Sequence, residues 1–382
     1  MLKPLETPGR TLGLALATAV LSAAAVAPAR AQDPAAAPAP DPAKFAINGF
    51  ASAAYSYNTN RPPSELNTLR VFDFDDKEVK LDVAELVVQR TTPSPGDFGF
   101  RVDLAAGQSI PKLNVANGLF RDEETGEPED FDLQQMYVTW LAPVGNGLKI
   151  DAGKWVTPAG AELIEGYDGF NDHYSRSILF GYAIPFTHTG AKIGYNFGKV
   201  GLTAMAVQGW DNFKDNNDAK TFGGQLALTP APQFSAYATF LTGAEQTDND
   251  DDKRKLVDLV AVWKPATPVA LTVNYDWAQE EGLGAGGGEA QWSGIAASLK
   301  LTLASSFAVA VRGERFDDRD GARTGTAQVV KEFTLTPEVR FGKHVVLRGD
   351  VRHDWSNERV FDSENGFEDS QTTFAVNLIA LF

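Results

Sequence analysis

From residue 44 onward the chain repeats one theme. About ten residues alternate between apolar and polar side chains, a short Gly/Pro turn follows, ten more residues alternate, and a longer polar loop closes the unit. In "FGFRVDLAAG", Phe98, Phe100, Val102 and Leu104 share one face, while Arg101 and Asp103 share the other. "SFAVAVRGERF" sets Phe307, Val309 and Val311 against Arg312 and Glu314, and "HVVLRGDVRHDW" sets Val345, Leu347 and Val351 against Arg348, Asp350, Arg352 and Asp354. Side chains alternate across a strand and not along a helix, so period-two patterning this regular demands strands with one apolar and one wet face.

A soluble antiparallel sheet gives the same alternation, and two further features decide against it. The wet face carries charges at strand centres, as a water-filled lumen requires. All seven Trp fall near expected strand ends, and Trp140, Trp263, Trp277 and Trp355 lie on the apolar face, where aromatic rings mark the two rims of a membrane-facing band. The chain then ends in "TTFAVNLIALF", with Phe374, Val376, Leu378, Ala380 and Phe382 on alternate positions. Termini usually fray in water, so an apolar terminal strand points to lipid on one side. In lipid an open edge cannot be satisfied, and the sheet must close into a transmembrane, antiparallel, up-and-down β-barrel.

Expected strands fall near 44–57, 77–90, 97–107, 131–142, 148–155, 187–197, 200–210 and 220–229. The second half continues near 233–243, 256–264, 269–278, 290–301, 306–316, 329–340, 344–355 and 372–382. About 16 strands is an even number, as bacterial single-chain barrels have, and leaves an aqueous interior. Tight turns such as "PVGNG", "PAP" and "FGK" alternate with long loops rich in Asp, Asn and Gly, which are assigned to the outside.

Residues 1–31 read as a signal peptide. Lys3 and Arg10 precede an apolar stretch from Thr11 to Val26, and Ala29-Arg30-Ala31 offers a small-x-small cleavage site. Residues 32–43 read as a Pro/Ala-rich tether, and 44–382 as the barrel domain. The formal charge is −16; residues 1–31 hold three basic residues and one acidic, so without them it becomes −18. That balance excludes nucleic acid as a partner. With no cysteine in the chain, disulfide scaffolds, thiolate metal sites and thiol nucleophiles are excluded as well.

Longer motifs then narrow the reading. "LRVFDFDD", "AELVVQR", "DLQQMYVTWLAPVGNGLKIDAGKWVTPAG", "YSRSILFGYAIPFTHTG", "VQGWDNFKDNNDAKTFGGQL", "LVDLVAVWKP" and "VRHDWS" resemble the OmpL-like β-barrel porin-2 family, from about Phe45 to Phe382. The resemblance implies an outer-membrane porin, a passive channel for small hydrophilic solutes or ions. The connection after the fifth strand, 156–186, is similar in position and acidity to the loop that narrows general porins. It places Glu162, Glu165, Asp168 and Asp172 at a constriction, and "SILFGYAIPF" makes it too apolar to lie free in water. A lid folded over the mouth is the competing arrangement.

The expected inner wall carries Arg101, Arg312, Glu314, Arg340, Arg348, Asp350 and Arg352, whose signs nearly cancel. These Arg are expected in part to oppose the acidic loop and in part to pair among wall acids such as Glu314, Glu338, Asp350 and Asp354. The acidic outer loops favour a mild preference for cations. An enzyme is not expected: of four His, His353 and Asp354 are strand neighbours pointing to opposite faces, and no nucleophile elbow or His-Glu-x-x-His occurs. Neither "TDNDDDKR" nor "WDNFKDNNDAK" has calcium-loop spacing, so no metal and no cofactor are expected. Expected partners are outer-membrane lipid, small hydrophilic solutes or ions, and the barrel assembly machinery, engaged through the Phe382 strand. A homotrimer rests on analogy with general porins. The alternative function is a non-channel barrel acting as an adhesin or structural surface protein.

Overall fold

A computed structural model describes residues 45–382 apart from 114–118, 123–124 and 267. The expected signal peptide, the tether and residue 44 lie outside the described residues. Eight strands occupy the first half: β1 (Ala46–Asn58), β2 (Val79–Arg90), β3 (Phe98–Ala106), β4 (Phe131–Ala142), β5 (Leu148–Val156), β6 (Thr187–Asn196), β7 (Val200–Val207) and β8 (Thr221–Ala231). The second half adds β9 (Phe234–Ala244), β10 (Lys253–Ala266), β11 (Val269–Gly284), β12 (Gly288–Ala304), β13 (Phe307–Asp318), β14 (Gln328–Phe341) and β15 (Val345–Ser356). A two-stranded hairpin, β16 (Phe361–Ser363) and β17 (Gly366–Glu368), stands apart in the last long loop, and β18 (Ser370–Leu381) ends the sheet. Every barrel strand pairs antiparallel with its neighbours in sequence, and β18 closes onto β1, giving a 16-stranded barrel.

Each expected stretch overlaps one barrel strand. The largest departures are β10 to β12, which project further on the loop side than alternation indicates. β11 and β12 meet at Ala285–Gly287, where Gly286 and Gly287 take positive φ of 70° and 80°. Only Gly adopts that conformation without penalty, so the hairpin turns tightly where the polar "EEGLGAGGGEA" shows no apolar face. Among the described residues no helix is long and apolar enough to cross a membrane; the strands do so.

The seam follows the alternation of the terminal strand. Ala53 faces Leu378 and Tyr55 faces Val376 across β1–β18. Phe374, Val376 and Leu378 point outward and remain about half exposed, at 46, 54 and 48%, while Ala375, Asn377 and Ile379 are buried on the inner side. Phe382 exchanges two backbone hydrogen bonds with Gly49, at 2.9 and 3.1 Å, and its ring covers the space a side chain at 49 would need. Trp140 and Trp263 sit on the outer face toward the turn ends of β4 and β10. Trp355 lies at the loop end of β15, whereas Trp277 faces outward at the middle of β11 and not at an end of it. Trp155, Trp210 and Trp292 are instead buried in an apolar cluster with Phe72, Leu179, Phe180, Phe186 and Phe316, inside the loop-side half of the barrel.

Closed pairing leaves no strand edge from which unfolding starts. Unboiled protein in SDS is therefore expected to migrate differently from boiled protein. Identical migration, with mainly helical circular dichroism, would refute a closed barrel.

Candidate functional site

Residues 157–186 leave β5 and return to β6 through the lumen. The neck is tied by the Thr157 amide donating to Phe186 O at 2.8 Å, and Asp211 accepts from the Phe186 and Thr187 amides at 2.5 and 2.8 Å. The tip is braced internally. Asn171 accepts from the Leu163 amide (2.9 Å) and donates to Leu163 O (3.0 Å), and Glu165 accepts from the Asn171 amide (3.0 Å). The apolar "SILFGYAIPF" forms a single π-turn at Leu179–Ala183, whose Leu179, Phe180 and Ala183 are buried against the cluster around Trp292. Burial of these side chains explains why so apolar a loop is not left in water.

All four acidic residues expected at the constriction meet a base on the wall. Glu162 pairs with Arg312 at 2.6 Å, Glu165 with Arg348 at 2.8 Å, Asp168 with Arg101 at 2.7 Å, and Asp172 with Lys300 at 2.8 Å. The Glu165–Arg348 contact is bidentate and fully buried, and Arg176 approaches the same carboxylate at 3.5 Å. Asp168 and Asp172 differ, being 46% and 37% exposed at the side chain.

Wall acids bind the loop's backbone. Asp350 accepts from the Ser175 amide and hydroxyl, both at 2.8 Å, Glu314 from the Ile178 amide at 2.8 Å, and Glu85 from the Tyr167 amide at 2.6 Å. The Arg348 guanidinium also donates to Asn171 O at 2.6 Å, Arg312 to Ser175 O at 2.8 Å, and Arg352 to Arg176 O. Several partners lie near the turn end of their strands: Arg101 is three residues into β3, Arg348 three into β15, and Lys300 four from the end of β12. The loop thus descends past mid-barrel. A lid resting on the mouth does not reach these residues.

Both arrangements expected for the wall arginines occur at once. Arg312 bridges loop Glu162 and wall Glu332 (2.7 Å), Arg352 pairs with wall Asp354 (2.7 Å), and Arg348 belongs to the loop. Arg340, 35% exposed near the turns, meets none of the four loop carboxylates; it pairs with Glu338 at 2.7 Å, and its guanidinium lies 5.5 Å from the Phe170 ring. Burial pushes the Glu165 carboxyl up, but Arg176 and Arg348 outweigh it and hold it below the usual range. Burial, then Arg312, Arg348, Lys300 and Arg352, hold His173 well below its ordinary value, so it is neutral. Its ring nitrogens meet Thr336 Oγ1 at 2.7 Å and Ser298 Oγ at 3.1 Å.

A second inward element was not anticipated. In the loop between β1 and β2, Arg70 is buried between Asp73 and Asp354, and Phe72 packs on Phe180 and Phe186 with centroids 5.8 Å apart in each case. The Arg176 guanidinium lies 4.6 Å from the Phe72 ring. The signal was present in "LRVFDF", which is too apolar for a solvated loop, as "SILFGYAIPF" is.

The opposite wall is different in kind. Along β6 to β9, Gly194, Thr203 and Gln225 form one cross-strand row, and Gln225 donates to the loop at Pro158 O (2.8 Å). Among the described residues the inner faces of β7, β8 and β9 hold no charged side chain, and Gly194, Gly201, Thr203 and Gly223 are only half-buried. Between loop and wall at Glu85, Arg101, Gln135, Glu162 and Asp168 lies a cavity of about 40 Å³, room for a few waters.

Comparison with known proteins agrees with this architecture. An anion-selective porin from Comamonas acidovorans superposes with a TM-score of 0.59 at 12% identity, covering 89% of this chain and 99% of that one. The outer membrane channel DcaP of Acinetobacter baumannii gives 0.56 at 12% identity, covering 88% and 97%. Salmonella typhi OmpF, solved with daunomycin, gives 0.55 at 11% identity, also covering 88% and 97%. Identities this low speak for the fold alone. Among curated proteins none matches the sequence. The family model described as "Putative beta-barrel porin-2, OmpL-like" matches residues 44–382. The chain therefore belongs to the OmpL-like β-barrel porin-2 family, and is an outer-membrane porin.

Proposed function

We propose that this porin is an open, passive channel for small hydrophilic solutes or ions, narrowed by residues 156–186. One observation carries the reading. The loop is tied by charged side chains of β2, β3, β12, β13 and β15, whereas the inner faces of β7 to β9 carry only uncharged side chains. Water and solute pass on that side, and Asp168 and Asp172 face the passage. Glu162 and Glu165 serve as anchors for the loop more than as charges that solutes meet.

Export by residues 1–31, insertion through recognition of the Phe382 strand, and assembly as a trimer complete the proposal. One solved relative in fold, OmpT of Vibrio cholerae, is described in a trimer form. The protein is read as non-catalytic. The His173–Ser298 contact lies within the packed loop, where Thr336 occupies the other ring nitrogen, and it acts as an anchor.

Purified, heat-modifiable protein in a planar bilayer is expected to give discrete, roughly ohmic conductance steps. Silence from correctly folded protein would favour an adhesin or structural surface role instead.

A further inference from the structure

The β10–β12 register places two lysines side by side on the inner wall. Trp263 faces Leu271 across β10–β11, the last pair before a shift in register, and Ala270 faces Lys300 across β11–β12, so Lys264 and Lys300 lie on the two strands that flank β11 near the small Ala270. Both lie toward the turn ends of their strands, below the tip of the inward loop. Lys300 is neutralised twice, by Asp172 at 2.8 Å and Glu338 at 3.0 Å, and Arg340 shares Glu338. Lys264 is half-buried, and among the described residues its ammonium has no hydrogen-bond or ion-pair partner; Asp172 and Lys300 are the charges that act on it. Lys264, Lys300 and Arg340 thus face two carboxylates, leaving one positive charge over in this corner of the lumen.

A half-buried ammonium without a direct counter-ion has lost hydration, and the attraction of Asp172 is opposed by the like charge of Lys300. An anion entering from the passage would supply the missing partner. We propose that Lys264, with Lys300 beside it, is a recognition point for small oxyanionic solutes, bearing carboxylate or phosphate groups, in the turn-side half of the lumen. This rests on the channel reading above. It also places attraction for anions inside a pore whose outer loops are acidic, so overall charge does not predict what the interior selects. Ala270 matters here because a larger side chain would fill the space where two ammonium groups converge on one anion.

Inorganic phosphate is the probe, applied in two ways. In bilayers with potassium chloride on both sides, phosphate added to one side is expected to reduce single-channel current in a concentration-dependent manner. In detergent, calorimetric titration of the folded barrel reads the same binding without conduction. Lys264→Gln is expected to raise the half-blocking and half-saturating concentrations about tenfold, the loss of one charge-assisted contact. Lys264→Arg should stay close to wild type. Because Lys264 holds no ion pair, the Gln variant should keep its heat-modifiable fold and still form open channels in chloride, against whose own unblocked current the phosphate block is measured. Absence of block and of binding heat in wild type would overturn the proposal, as would a Lys264→Gln variant indistinguishable from it. If wild type fails to conduct yet binds phosphate in a Lys264-dependent way, the site stands and the channel reading falls.

Discussion

Glu165→Ala is expected to release the inward loop while leaving the barrel closed. Glu165 and Arg348 are both fully buried, and Arg176 beside them is nearly so. Removing one partner of a buried pair leaves an uncompensated charge and costs about 3–5 kcal/mol. That is a factor of roughly a hundred to several thousand in the equilibrium between docked and released loop. Conductance of the variant should therefore rise and fluctuate, and proteases should cut within 157–186 where they spare the wild type. Asp168→Asn is the matched control, since its carboxylate is half-exposed and such pairs contribute at most about 1 kcal/mol. Unchanged conductance and unchanged cleavage in Glu165→Ala would mean that the loop is held by its apolar contacts alone.

Acid should act in the same direction. Glu165 is depressed in the docked state, so its contribution is complete above the ordinary carboxylate range and is lost as pH falls through the lowered value. His173 is held neutral when docked, whereas a released His binds a proton below about pH 6.5, so falling pH also favours release. Below about pH 6.5 the contribution of His173 to docking is lost first, and that of Glu165 at lower pH; protease sensitivity of 157–186 against pH reads both.

The alternation made the barrel legible because its period is two and any slip would turn every apolar side chain toward the lumen. The inward positions of Arg101, Arg312, Arg348 and Arg352 followed from the same parity. Which charges pair did not follow. The Glu165–Arg348 contact joins residues 183 positions apart, and it depends on how far the loop descends, which no local pattern encodes. Arg340 has the right parity but sits too near the turns to meet the loop's acids, and Glu338 takes it. Lys264 and Lys300 went unmarked because isolated lysines in a strand carry no motif. Their significance lies in a neighbour relation across β11 and in which of them Asp172 reaches.

Selectivity separates the four loop acids by exposure. Changing Glu162, Glu165, Asp168 and Asp172 together to amides should shift the channel toward anions, but that variant also weakens the loop's anchors at Arg312 and Arg348. The cleaner measurement is Asp168→Asn with Asp172→Asn, which removes the two exposed carboxylates and leaves the buried ones in place. Two charges about 4 Å apart interact by about 1 kcal/mol in bulk water and several-fold more where water is restricted. Loss of Asp168 and Asp172 also leaves Arg101 with Asp103 alone and Lys300 with Glu338 alone, so the shift comes from less fully neutralised bases as well as from acids lost. Reversal potentials across a salt gradient should move toward the anion side in the double variant. At 1 M salt, where the Debye length is about 3 Å, most of that movement should disappear. A double variant with the wild-type reversal potential would place the ion path away from the loop tip. The passage along β6 to β9 would then be screened from Asp168 and Asp172, and the role proposed for them would fall.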